Sequence, residues 1–158
     1  MKKIILSLSF LAFATFLFGK NASTTSIDST GLPKAFLLGE YTAAYEKVQK
    51  SRSVSLFEYC NNDTDQAFDR WARFLIAMEM YAESINYDIK GVKMFIEVCW
   101  ENDGKIKYIA YAPKGDSRNV ATAELTGFMK SFSKNYTPQF QPGKSVMQNT
   151  QVAFPFLR

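Results

Sequence analysis

Residues 92–112 read VKMFIEVCWENDGKIKYIAYA, and this stretch decides the fold. Met94, Ile96, Val98 and Trp100 share one face of an extended chain. Lys93, Glu97 and Glu101 share the other, with Phe95 and Cys99 among them. A period of two marks a strand with one buried face. Asn102-Asp103-Gly104 follows, three residues that tolerate positive φ and so favour a tight turn. Ile106 to Ala112 is the return strand, and Pro113-Lys114-Gly115-Asp116 ends it. Tyr108 and Tyr111 fall on opposite faces of that strand, so one of them is expected at the surface.

The flanks switch to a helical period. Upstream, Phe68, Trp71, Leu75, Met78, Ala82 and Ile85 recur at about 3.6 residues, behind the cap-rich turn Asn61 to Asp65. That helix is expected to end between Tyr87 and Gly91, with Gly91 as the break. Its charged residues, Asp69, Arg70, Arg73, Glu79 and Glu83, fall mostly on the solvated face. Downstream, Val120 to Tyr136 carries a second stripe of Leu125, Phe128, Met129, Phe132 and Tyr136, stopped by Pro138. After Gly143 a last strand runs from about Ser145 to Phe154. It places Val146, Gln148, Thr150, Val152 and Phe154 on one face. Further upstream, Leu37 to Cys60 reads as helical on the stripe Tyr41, Ala44, Tyr45, Val48, with a break at Ser51 to Ser53. Val54 to Cys60 fits helix or strand, helix being preferred. The fold class is therefore α+β, with helices over residues 35–90 packed on a small antiparallel sheet. Residues 91–158 supply β-β-α-β.

The chain opens with Met1, Lys2 and Lys3, then an apolar run from Ile4 to Gly19 that gives way to Lys20-Asn21. A basic start and a short apolar run have the layout of a cleaved secretory leader, so residues 1–19 are expected to be a signal peptide. That run is short for a spanning helix, which needs about 20 apolar residues. The implied address is the bacterial periplasm or the outside. Residues 20–34, rich in Ser and Thr, read as a flexible lead-in, and residues 35–158 as a single domain. About 140 residues remain after cleavage, enough for one core.

The chain carries 19 Lys+Arg against 15 Asp+Glu, and Lys2 and Lys3 belong to the leader. What is left is no basic footprint for nucleic acid. There is no His, which excludes Ser-His-Asp and Cys-His catalysis and ordinary zinc sites. No cofactor is expected. Cys60 and Cys99 either pair in an oxidising compartment, closing a loop worth about 3–4 kcal/mol, or stand apart as small buried residues. Pro142-Gly143-Lys144-Ser145 lacks the first Gly of a phosphate loop, and a strand pattern follows it in place of a helix. Asn61, Asp63 and Asp65 alternate like calcium ligands, but Gln66 and Ala72 stand where Gly and Glu are needed. Asp69, Glu79, Glu83, Glu97, Glu101, Asp103 and Glu124 are the candidates for a catalytic acid pair, and most sit where a solvated face is expected.

From Met94 to Phe156 the chain resembles the C-terminal domain of TonB-type energy transducers. The residues that carry the likeness are Ile96 to Trp100, Asp103-Gly104, Ile106 to Tyr111 and Lys114 to Asn119. Leu125 with Phe128 and Phe132, Tyr136 with Pro138, Gly143-Lys144 and Val152 to Phe156 complete it. The chain also looks like small secreted bacterial proteins with a helical half before such a unit. The resemblance implies a protein or peptide partner taken up at the edge of a sheet. The strand holding Val146, Gln148, Thr150, Val152 and Phe154 is the candidate edge. The leading expectation is a non-enzymatic interaction module, free of nucleic acid and, once the leader is removed, of membrane. The alternatives are a His-free carboxylate-based hydrolase and, if the leader is retained, a membrane-anchored energy-coupling protein.

Overall fold

A computed structural model describes residues 31–50 and 53–156. The expected leader lies outside these residues, and no described helix is long and apolar enough to cross a membrane. In chain order the elements are β1 (Ala35–Leu37), α1 (Thr42–Gln49), β2 (Val54–Ser55), α2 (Leu56–Tyr59) and α3 (Thr64–Ser84). Then come β3 (Lys93–Trp100), β4 (Ile106–Pro113), α4 (Thr122–Asn135) and β5 (Val146–Ala153). The fold is α+β.

The hairpin forms as its pattern requires. β3 pairs antiparallel with β4 from Met94↔Pro113 to Cys99↔Tyr108, and the register slips before Trp100↔Ile106. Lys107 is the extra residue of that bulge. The slip turns Ile106 to the same face as Ile109 and Tyr111. β5 pairs antiparallel with the other side of β3 along its whole length, Lys93↔Ala153 to Trp100↔Val146. The sheet order is β1-β4-β3-β5-β2.

Two short strands make the sheet mixed rather than antiparallel. β1 lies parallel to β4 and β2 parallel to β5. Both fall inside residues 35–90, the part expected to be helical. Ala35-Phe36-Leu37 is bracketed by Pro33 and by Gly39 at φ 99°, which leaves no room for a helical turn. The helix that does form is α1, only eight residues long. In 54–60 the backbone adopts both states. Val54 and Ser55 pair with β5, and the Ser55 side chain then accepts from Glu58 N at 3.0 Å as the N-cap of α2. The lead-in is packed at its end, since Leu32 and Pro33 are buried and Lys34 Nζ donates to the Ile106 carbonyl at 2.7 Å.

α3 starts at Asp63, whose carboxylate accepts from Gln66 N at 3.0 Å. It ends at Ser84, earlier than Gly91. Asn86 takes φ 55°, Asn86 N donates to Glu83 O, and Tyr87 N donates to Ala82 O. These two bonds are the Schellman closure, with Asn in the place usual for Gly. Gly91, at φ 77°, instead lies just before β3, its N–H donating to Phe154 O.

α3 and α4 cover one face of the sheet. Trp71, Phe74, Leu75 and Met78 meet Met94, Ile96, Val98, Trp100, Phe128 and Phe132 there. The Phe74 ring stacks on Trp71 and stands edge-on to Trp100, each with centroids 5.2 Å apart. Burying each such side chain contributes about 1.5–3 kcal/mol, so this layer dominates stability. The opposite face carries a smaller cluster of Leu32, Phe36, Val48, Cys99, Tyr108 and Ala110 beneath α1. Because both faces are covered, Tyr108 and Tyr111 are both buried, 1% and 0% exposed, and neither reaches the surface as expected.

Candidate functional site

β5 is held rigidly on one side and left largely open on the other. Its inner side pairs with β3 over eight positions, while β2 covers only Val146 and Met147. Among the described residues, no strand pairs with the outer backbone from Gln148 to Ala153. In a strand, successive residues direct their N–H and C=O groups to opposite sides. Phe154 bonds inward, N to Val92 O and O to Gly91 N, and Ser145 O bonds outward to Val54 N. By that alternation Gln148, Thr150 and Val152 bond toward β3. The outward groups belong to Asn149, Gln151 and Ala153.

The edge expected from sequence is therefore corrected. Val146 is covered by β2. Phe154 lies past the end of β5 with both backbone groups used. Val146, Val152 and Phe154 send their side chains into the core. Thr150 and Gln148 sit at the edge but contribute side chains rather than backbone. Gln148 Nε2 donates to the Asn149 carbonyl at 3.0 Å, and Thr150 Oγ1 to the Gln151 carbonyl at 3.4 Å. The side-chain pattern of a strand shows its buried face. It does not show which residues turn their backbone outward, because register with β3 settles that.

Apolar groups flank this edge. α2 packs on β5 and on α3. Phe57 of α2 is 44% exposed and Phe68 of α3 is 55% exposed. Phe68 pairs with Phe156, just past β5, at a centroid distance of 6.4 Å. Phe68 belongs to the predicted core stripe, whereas the structure places Phe74 in the core and leaves Phe68 outside.

The other polar cluster lies under α1. Glu97, predicted on a solvated face, is 3% exposed. Its Oε1 accepts from Gln49 Nε2 at 2.6 Å, Tyr108 Oη at 2.9 Å and Tyr45 Oη at 3.0 Å. Burial first, and then the Glu97 charge, pushes the Tyr45 hydroxyl up to about 12. Burial likewise raises Tyr108. Both phenols therefore stay protonated donors through the neutral range. The cluster ties α1 to β3 and β4, and Glu97 lines none of the clefts below.

A cleft of about 510 Å³ at the end of α3 is lined by Glu79, Glu83 and Asp88 with Lys90. Two of these carboxylates are engaged. Glu79 Oε1 accepts from Phe156 N at 2.7 Å, and Asp88 pairs with Arg118 at 3.3 Å. A smaller cleft of about 180 Å³ lies between α3 and the loop after α4, lined by Gln66, Asp69, Arg70, Arg73, Gln139 and Phe140. Among the described residues no three Cys, Asp or Glu side chains converge to hold a metal ion.

Cys60 and Cys99 are both free thiols. Cys60 ends α2 on the Trp100 side of the sheet, and Cys99 points to the face under α1. The sheet separates them, so the disulfide open to the sequence does not form. Burial raises the Cys99 thiol, whose sulfur sits 3.3 Å from Ser145 Oγ. Comparison with known protein families, with curated proteins and with solved structures returns no match.

Proposed function

We propose that this chain is a secreted or periplasmic, non-enzymatic module that captures an extended peptide by strand addition along the outer edge of β5. One observation carries the reading. β5 is fixed by β3 at eight positions, yet β2 covers only two of them on the outside. A rigid strand whose outward N–H groups at Asn149, Gln151 and Ala153 are unpaired is a template for a further strand. Phe57 and Phe68 supply apolar surface where alternate side chains of the added strand would rest. The incoming backbone must displace Gln148 Nε2 and Thr150 Oγ1 from the carbonyls they occupy, which sets a cost on binding and favours peptides with apolar anchors. The basic and apolar leader supports the address, and the β-β-α-β order agrees with the TonB-type resemblance.

The test is selection of extended peptides from a displayed random library, followed by amide hydrogen exchange on the complex. Bound peptide is expected to slow exchange at Asn149, Gln151 and Ala153. Gln151→Pro removes an outward N–H and is expected to abolish capture. A peptide that binds without protecting those three amides, or that binds Gln151→Pro equally well, overturns the reading.

A further inference from the structure

We infer that the cleft between α3 and the loop after α4 is a binding site for a single carboxylate group. It is independent of the β5 edge. The Arg70 guanidinium carbon lies 5.6 Å from the centroid of the Tyr59 ring and 5.5 Å from that of Phe140. The two rings are themselves 5.6 Å apart, so the guanidinium rests against an aromatic corner. Such contacts hold Arg in place before any ligand arrives. Its Nε is buried and has no acceptor within hydrogen-bond reach. That nitrogen is closed to solvent, so a ligand in the cleft meets the terminal Nη nitrogens of Arg70, which have no acceptor among the described residues.

The rest of the lining fits an oxyanion. Arg73 contributes a second guanidinium, and Gln66 and Gln139 contribute amides that can donate. Among the described residues neither arginine has a carboxylate oxygen within 4.0 Å. Asp69 also lines the cleft, so the lining carries one net positive charge. That balance matches a monoanion and disfavours a phosphate dianion. The fork of an arginine pairs with the two oxygens of a carboxylate. Phe140 forms an apolar wall, and about 180 Å³ holds a carboxylate with a small body attached. The carboxylate could belong to a free organic acid or to an acidic side chain of a peptide.

The side-chain Nε–H resonance of Arg70 in the ¹⁵N-labelled protein reports on the guanidinium that lines the cleft. Sodium benzoate and acetyl-Gly-Asp-Gly-amide are titrated separately, with sodium chloride and sodium phosphate at matched ionic strength. Benzoate is expected to move that resonance saturably. Arg73→Gln should weaken it by about tenfold, the worth of one charge-assisted hydrogen bond. Asp69→Asn should tighten it, since it removes a repelling charge. Both substitutions are at exposed positions and leave the Tyr59–Arg70–Phe140 contact in place. Saturation by benzoate alone assigns the site to small acids, and saturation by the peptide as well admits an acidic side chain. No saturation by either, an equal shift with chloride, binding of phosphate alone, or unchanged affinity in Arg73→Gln overturns the inference.

Discussion

The Tyr108 hydroxyl donates to Glu97 Oε1 at 2.9 Å inside the layer between the sheet and α1. Neither group can turn to water without lifting α1, because both residues are buried. Glu97→Ala removes the shared acceptor of Tyr45, Gln49 and Tyr108 and leaves the buried Tyr108 hydroxyl, which accepts from Gln49 Nε2 at 3.5 Å, with only the weak Met147 sulfur at 3.9 Å to donate to. The expected loss is about 2–4 kcal/mol. Glu97→Gln retains an acceptor oxygen but not its charge, and should lose about 1–2 kcal/mol. Urea midpoints at neutral pH, with an unchanged slope, measure both. Equal stability of the wild type and Glu97→Ala would show that the cluster does not hold α1 down.

The same cluster makes stability fall in alkali. Tyr45 has its pKa raised from 10.0 to about 12 in the fold. An acid whose folded pKa is raised binds more protons folded than unfolded between those two values. Its contribution is therefore fully present below about pH 10 and is lost as pH rises through about 12. Burial raises Tyr87, Tyr108, Tyr111 and Tyr136 in the same direction. The melting temperature should thus decline across that window. Tyr45→Phe, which has no proton to lose, should decline less steeply. Phenolate absorbance followed in parallel should show a late-titrating class of tyrosines that merges with the rest on unfolding.

Much of the fold was legible because its signals are local. The alternation Met94, Ile96, Val98, Trp100 and the Asn102-Asp103-Gly104 turn predict the hairpin that forms. The α4 stripe of Leu125, Phe128, Met129 and Phe132 is the buried one. What was not legible depends on distant partners. Three residues, Ala35 to Leu37, are extended because β4 offers them a parallel edge, and no window of three residues carries a period. Glu97 reads as solvated until α1 is laid over it. Arg70 reads as one more surface charge of α3 until Tyr59 and Phe140, eleven residues before and seventy after it, are brought to its side.

Proline at two neighbouring positions of β5 should cost very different amounts of stability. Gln151 directs its N–H outward, so Gln151→Pro removes no bond of the sheet and should cost about 1 kcal/mol or less. Thr150 directs its N–H toward Ile96 of β3, so Thr150→Pro breaks the ladder in its middle and should cost about 2 kcal/mol or more. Thermal unfolding of the two variants distinguishes them. A larger loss for Gln151→Pro would reverse the assignment of the outward edge.

Cys60 and Cys99 should behave as two separate buried thiols. Iodoacetamide added to the folded protein is expected to label neither quickly, since both are about 1% exposed or less. In denaturant without reductant both should be alkylated fully. Cys60→Ala with Cys99→Ala should leave the loop unconstrained as before, and cost only the loss of two small side chains from packed sites. Protein isolated from its own compartment that resists alkylation until reduced would mean that the sheet does not separate the two sulfurs.

Gly104 joins the hairpin to the arginine cleft. It closes the turn at φ 84°, and a Cβ at this position would overlap the Phe140 carbonyl oxygen and press on Pro138. Neither the turn nor the backbone carbonyl can yield cheaply. Gly143 N also donates to Asn102 O at 2.9 Å, so the 138–143 loop is seated directly on the turn. Gly104→Ala is therefore expected to cost about 2–4 kcal/mol, through backbone strain and displacement of that loop. The displaced residue is Phe140, one wall of the aromatic corner that holds Arg70. Stability and cleft should fail together: unfolding by urea shows the first, and a shifted Arg70 Nε–H resonance in the still-folded protein shows the second. Loss of stability with an unmoved Arg70 signal would mean that the turn and the cleft are mechanically separate.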